Sequence, residues 1–253
     1  MIRLDAATVL LQWATGGLAF LWVTTRHRTV GIGYGWLLRG TYLLLAAVGL
    51  VLGLRVRTVV GRELGLAGVV LAALFALVVS VQRRKAGVSG QIAALDLVAP
   101  CLGAIGLVFA GASSGGNPVL AIDRTMAGAA FLGAVSDAML LGHWYLVQPG
   151  LPRKHISELV TWLARVWPIE VGLFLIPTGM ISVFNGAIND GWHGLLGWMW
   201  IACSVLTIGL CFVTKAALKE KEYSAVMAAT GLLYLAILTA FGTDLVARAV
   251  LAG

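Results

Sequence analysis

Charged side chains are scarce in this chain. Lys, Arg, Asp and Glu make up 11% of its 253 residues, against about 25% in an ordinary soluble domain. Hydrophobic residues reach 60%, which excludes a water-soluble globule, a disordered tail and a disulfide-stapled secreted domain. Because backbone groups in lipid must be satisfied within the protein, the apolar chain is expected to be an all-α polytopic membrane protein.

Cysteine and histidine are also rare. Cys101, Cys203 and Cys211 lie in apolar stretches with no CxxC motif, which predicts buried free thiols. The four histidines provide no pair at matched depth on two spanning segments, so a haem held by this chain alone is not expected. No His or Cys cluster has the spacing of a metal site, and the GxxxxGK[ST] and GxSxG motifs are absent. These absences disfavour phosphate-driven transport and hydrolase chemistry.

The net charge of +7 does not indicate a nucleic-acid partner. The basic residues are scattered through short loops, which is typical of the cytoplasmic loops of membrane proteins. The first residues carry both Arg3 and Asp5, and the apolar stretch that follows them is long for a cleaved signal. We therefore expect a retained first helix and a chain surrounded by membrane lipid.

Eight apolar segments succeed one another with short connections, and each is long enough to cross a bilayer. They predict about eight transmembrane helices in a single integral membrane domain, residues 1–253. The expected segments are 7–24, 36–54, 64–82, 92–111, 125–147, 158–184, 193–213 and 224–247.

Lys and Arg are unevenly divided between the two sides of this arrangement. Twelve adjoin the loops after the odd-numbered segments and six lie on the other side. Since basic residues concentrate in cytoplasmic loops, we expect a multi-pass protein of the cell (inner) membrane with both termini on the non-cytoplasmic side.

A short sequence repeat suggests internal duplication. The tetrapeptide from Trp36 to Arg39 opens the second segment, and a similar one from Trp162 to Arg165 opens the sixth, 126 residues later. This spacing favours two four-helix units, with halves 1–118 and 119–253.

Asp137 and Glu170 are expected near the middle of their apolar segments, where an ionisable group is expensive and points to function. Asp137 shares a helix face with Ala129 and Gly133, and such a small-residue face packs against a neighbouring helix. Glu170 is expected at similar depth on the next, antiparallel segment, where the two acids can share a proton. We predict catalytic, proton-exchanging roles for Asp137, Glu170 and His143.

A second group is expected between these acids and the presumed cytoplasmic face. Arg39, Arg165 and Asp96, together with His143 and Trp144, are predicted to form a polar funnel or to line a quinone site between the second, fifth and sixth segments.

A structural interpretation competes with the funnel. Arg39 and Arg165 can extend to the membrane surface while Asp96 neutralises one of them, and tryptophans form an interface belt. Asp244 and Arg248, four residues apart on the last segment, predict a local ion pair.

The architecture is similar to the haem-free, eight-helix membrane subunits of the polysulfide-reductase and dimethyl-sulfoxide-reductase type. The similarity lies in helix count, size and buried acid–base groups, and it implies a quinone cofactor and peripheral or membrane partner subunits. The leading hypothesis is thus a subunit of a larger redox complex that holds a quinone or a proton path. The alternatives are a small proton-coupled secondary transporter and a purely structural subunit.

Overall fold

The computed structural model describes residues 5–87, 93–177 and 179–252. In these ranges every regular element is helical: one short 3-10 helix, Ala93–Leu97, precedes α4, and nine α-helices follow the order of the predicted segments with one addition. Their bounds are α1 Ala6–Thr25, α2 Ile32–Val56, α3 Val60–Lys85, α4 Val98–Ala112, α5 Pro118–Trp144, α6 Lys154–Leu175, α7 Ile181–Phe184, α8 Leu195–Ala217 and α9 Tyr223–Ala252.

Seven of the described helices are long and apolar enough to cross a membrane, which confirms the polytopic helical class. The sixth predicted segment, now α6, is not among these seven, and it carries Glu158, Arg165 and Glu170. Contacts at its two ends nevertheless show that α6 runs along the bundle beside α5. Glu158, near the start of α6, forms an ion pair with Arg26 at the end of α1. In the last turn of α6, the Leu173 carbonyl accepts a hydrogen bond from Arg124 near the start of α5.

Helix ends differ from the expected ones where local capping outweighs hydropathy. α5 begins at Pro118, seven residues earlier than predicted, because the Asn117 side chain accepts the backbone N–H groups of Val119 and Leu120 and proline fits the first helical turn. α6 stops at Leu175, nine residues earlier than predicted. The Ile176–Pro177 step ends it, since a residue before proline avoids helical geometry.

The helices pack in two groups. α1, α2, α3 and α4 pack around one another, and α5, α6, α8 and α9 do the same. The groups meet chiefly where α1 lies against α5, the most buried of the seven apolar helices. The internal repeat stays a prediction.

Glycine permits the close approach of α1 and α5. A Cβ atom on Gly16 would overlap the carbonyl of Ala129, and one on Gly133 would overlap the backbone of Gly16. The small-residue face predicted for the fifth segment therefore does pack on a neighbour, and Asp137 on the same face has no exposed surface.

The two ends of the bundle are named by their loops. The side that holds the loops after α1, α3, α5 and α8 is called the basic face, and the other side is called the opposite face. Arg153 in the α5–α6 loop donates to the carbonyls of Lys221 and Glu222 in the α8–α9 loop, so these two connections lie together at the basic face.

Candidate functional site

The two buried acids expected at similar depth, Asp137 and Glu170, lie at different depths. Asp137 is seven residues from the end of α5 at the basic face, whereas Glu170 is sixteen residues into α6 from that face. At 1.5 Å per residue their depths differ by about 14 Å. The expected similar depth is wrong, because α5 begins seven residues and α6 ends nine residues earlier than their predicted segments do.

Asp137 instead belongs to a tyrosine cluster between α1, α2 and α5. The Tyr42 hydroxyl donates to Asp137 Oδ1, and the Tyr34 hydroxyl lies 3.4 Å from the Asp137 carbonyl oxygen. Gly17 on α1 makes room for this cluster, since a Cβ atom there would overlap the Tyr42 ring. The Tyr34 and Tyr42 side chains are fully buried.

Arg39 and Asp96 form a closed ion pair near the basic face. Arg39 Nε and Nη2 donate to the two carboxylate oxygens of Asp96 at 2.8 Å each, and the Thr25 hydroxyl lies 3.3 Å from Asp96 Oδ2. Both charged side chains are almost fully buried. This bidentate geometry agrees with the structural interpretation, in which Asp96 neutralises one of the two arginines.

The remaining members of the predicted funnel lie elsewhere. Arg165 is exposed and stacks over Trp162, with 5.8 Å from its guanidinium carbon to the ring centroid. His143 is also exposed, 3.4 Å from the Tyr234 hydroxyl, and Trp144 donates to Gln148. The structure therefore does not bring the predicted funnel residues together: Arg39 and Asp96 are buried as a pair, whereas Arg165 and His143 are exposed.

The best-developed ionisable cluster lies toward the opposite face, where α5, α6 and α9 meet. We call it the acid–arginine quartet: Arg124, Glu170, Asp244 and Arg248. Arg248 Nε lies 2.8 Å from both carboxylate oxygens of Asp244, which confirms the predicted i, i+4 ion pair. All four side chains are buried.

Arg124 joins the quartet to the end of α6. Its Nε donates to the Leu173 carbonyl at 2.8 Å, and its Nη2 donates to the Ile176 carbonyl. Carbonyls in a last helical turn have no partner within the helix, so the guanidinium serves as their cap. Arg248 Nη2 donates in turn to the Arg124 carbonyl at 3.0 Å, which ties α9 to α5.

Glu170 is the member whose polar atoms are not matched by donors. It is fully buried, and neither carboxylate oxygen accepts a hydrogen bond from a donor in the described residues. Its electrostatic neighbours are Asp244, Arg248 and Arg124. Two adjacent carboxyl groups can satisfy one another when one carries a proton and donates it to the other. The arrangement can therefore hold and exchange a proton.

Small side chains open this region toward the opposite face. A Cβ atom on Gly128 would meet Gln12, Arg248 and Asp244, so the missing side chain lets these groups converge on α5. A polar crevice of about 10 Å³ adjoins them and is lined by Asp5, Thr8, Arg57, Ala110, Ser113, Ser114, Thr125 and Arg248. That volume is near the minimum for one water molecule.

Sequence reasoning missed two parts of this region. Arg124 falls between the predicted fourth and fifth segments, yet its position seven residues after Asn117 places it about two turns inside α5. Arg62 and Glu63 fall between the predicted second and third segments, yet they are buried in α3 and pair with each other, and Arg62 also pairs with Asp5. The Asn-Pro capping signal at Asn117 is the sequence feature that places Arg124 in a helix.

Comparison with known proteins gives no assignment: no family model, no curated protein and no solved structure matches this chain. Within the described ranges, no group of three or more His, Cys, Asp or Glu side chains is placed to hold a metal ion.

Proposed function

We propose that this chain is an integral membrane subunit of a larger energy-converting complex and that it passes protons through the acid–arginine quartet. Glu170, paired with Asp244, is the group that takes up and releases the proton. The observation that carries this proposal is the fully buried Glu170 carboxyl, which has a second acid beside it and no described donor to its oxygens.

Hydrogen bonding supports a proton on this pair. An ionised carboxylate away from water costs several kcal/mol unless its partners satisfy it. Asp244 has such partners, because Arg248 donates to both of its oxygens. Glu170 lacks equivalent donors among the described residues, so a proton on this carboxyl, which could then donate to Asp244, avoids an unsatisfied buried charge.

The charges of the quartet also allow Glu170 to change its protonation state. With Glu170 protonated the quartet carries two guanidinium charges and one carboxylate, and with Glu170 ionised it is neutral. The two arginines thus favour release of the proton, while the absence of described donors favours its retention. Opposing effects of this kind suit a group that exchanges protons.

Access differs between the two ends of the proposed path. Arg248 is the quartet member that lines the small polar crevice toward the opposite face. Asp137, about 14 Å nearer the basic face, is a second station for the proton, and the Tyr42 hydroxyl is its hydrogen-bond partner. The proton path expected between the two acids is kept, with each acid in its own cluster.

Infrared difference spectroscopy tests the proton site directly. Purified protein is compared between acidic and alkaline buffer, and a change in the carboxylic C=O stretching region is expected from Glu170. Glu170→Gln removes that band, whereas Asp123→Asn, which changes an exposed acid of α5, leaves it. An identical spectrum in Glu170→Gln would remove the proton role and favour a structural subunit.

Proton flux supplies the functional measurement. In the assembled complex, or in liposomes if the chain works alone, Glu170→Gln is expected to reduce proton-linked turnover at least about tenfold. Asp123→Asn serves again as the control. Normal turnover in a well-folded Glu170→Gln protein would contradict the proposal.

A proton-coupled transporter is the second candidate, and one observation favours it. α6 ends five residues after Glu170, and between it and α8 the described residues form only the four-residue helix α7. Interrupted helices beside a buried acid are a feature of secondary transporters. Copurification separates the candidates: stoichiometric partners with redox cofactors support the subunit, and a lone monomer or homodimer supports the transporter.

A further inference from the structure

A groove of about 400 Å³ lies between α1, α4 and α6, near the basic face and far from the acid–arginine quartet. Its walls include Phe20, Trp22, Pro100 and Trp162, and the rings of Phe20 and Trp162 meet edge to face at 6.3 Å between centroids. Because Trp162 is 38% exposed on the outside of the bundle, the groove opens sideways toward lipid.

Polar groups gather at one end of this groove. Arg26 lines it, stacks over Trp22 and forms an ion pair with Glu158. Next to this pair, His27 Nε2 lies 3.7 Å from Glu158 Oε2, and the His27 and His155 rings are 5.6 Å apart. An aromatic, lipid-facing groove thus ends in hydrogen-bond donors and titratable side chains.

We propose that this groove binds a lipid-soluble quinone. The ring would lie against Trp162 and Phe20, a carbonyl oxygen would accept a hydrogen bond from Arg26, and the apolar tail would leave through the side opening. A guanidinium has five N–H donors, so Arg26 can bind a carbonyl while it stays paired with Glu158. The site differs from the quinone position expected between the second, fifth and sixth segments.

Charge at the groove end favours a neutral headgroup over an anionic one. At the end of the groove Arg26 is paired with Glu158, whose carboxylate would repel a lipid phosphate. Another nearby cation, Arg165, stacks over the Trp162 ring at the wall. A quinone carbonyl is uncharged and accepts hydrogen bonds. Its flat ring also suits the aromatic walls, since aromatic groups stabilise each other in offset or edge-to-face contact.

Photolabelling with an azido-substituted decylbenzoquinone tests the proposal on the intact chain. In detergent or nanodiscs, labelled peptides are expected from α1, α4 and α6 around the groove, and decylubiquinone should displace the label. Trp162→Leu removes an aromatic wall and is expected to reduce labelling about tenfold. Trp198→Leu, which changes an exposed tryptophan on α8, is the matched control and should label as the wild type does.

Arg26→Gln keeps the walls and removes the guanidinium, so it protects the test against misfolding of the tryptophan variant. It is expected to weaken labelling several-fold. Labelling that is unchanged in both folded variants, or displaced by phosphatidylglycerol and not by decylubiquinone, would overturn the proposal. The proton site is measured separately: a pH-dependent carboxyl band without groove labelling would reject the quinone site alone, and labelling without the band would reject the proton site alone.

Discussion

The Arg39–Asp96 pair and the acid–arginine quartet both place charge inside the bundle, yet they differ in how the carboxylates are satisfied. Asp96 accepts bonds from Arg39 at both oxygens, with Thr25 beside it. Glu170 accepts none from the described donors and adjoins another acid. The first arrangement stabilises one charge state, whereas the second leaves the choice between two states open.

This difference teaches that burial of an acid alone does not identify a functional group. A bidentate pair in a dry interior contributes to assembly, and its removal leaves an unpaired charge. A buried carboxyl group without hydrogen-bond donors gains little stability from being ionised, so the same burial allows it to exchange a proton. Substitution of one acid at a time separates these two roles.

The largest expected effect on stability is at the Arg39–Asp96 ion pair. Asp96→Asn removes the carboxylate charge that accepts two hydrogen bonds from the buried Arg39 guanidinium and should lower the free energy of unfolding by about 3–5 kcal/mol. Reversible unfolding in detergent by added sodium dodecyl sulfate measures this. The Arg39→Met, Asp96→Leu double variant is the control and should recover most of the loss. A single variant as stable as the wild type would show that the pair contributes nothing to folding.

A smaller effect is expected in the tyrosine cluster. Tyr42→Phe removes the hydroxyl that donates to Asp137 and leaves a buried acceptor without its partner, at a cost of about 1–3 kcal/mol. Unfolding is followed by the same detergent titration, with Tyr234→Phe, which changes a half-exposed tyrosine on α9, as the control. Unchanged stability in Tyr42→Phe would mean that Asp137 does not depend on this bond.

At the quartet, the expected change in stability is smaller still. Glu170→Gln removes a carboxyl that accepts no described hydrogen bond, and the new amide can donate to Asp244, so we expect a loss below about 1 kcal/mol. The comparison with Asp96→Asn is therefore decisive. Equal and large destabilisation by both substitutions would place the quartet in the same structural class as the closed pair.

The smallest effect is expected outside the bundle, at Asp190 before α8. Backbone N–H donation from Gly194, Trp192 and Leu196 lowers the pKa of Asp190 below its ordinary value of 3.8. A lowered pKa gives stability that is present above the ordinary value and is lost as pH falls through the lowered one. Melting temperatures across acidic pH should therefore show a slightly steeper fall for the wild type than for Asp190→Asn, and parallel curves would contradict this.

Part of the candidate site could be predicted from sequence because helical periodicity is local. The face shared by Gly133 and Asp137 placed that acid inside the bundle, and the four-residue spacing predicted the Asp244–Arg248 pair. Partners from distant segments could not be predicted in this way. Tyr42 reaches Asp137 from α2, and Asp244 reaches Glu170 from α9, across separations that no local pattern encodes.

The sequence by itself determined that this is a helical membrane protein, since scarce charge and long apolar runs leave the backbone no other way to satisfy its hydrogen bonds in lipid. It also placed Asp137, Glu170 and Asp244 inside those runs. Apart from pairs within one helix, such as Asp244–Arg248, the tertiary structure decided which acid meets which arginine. Helix register and rotation depend on close contacts such as Gly16 with Gly133, and a shift of a few residues exchanges every partner.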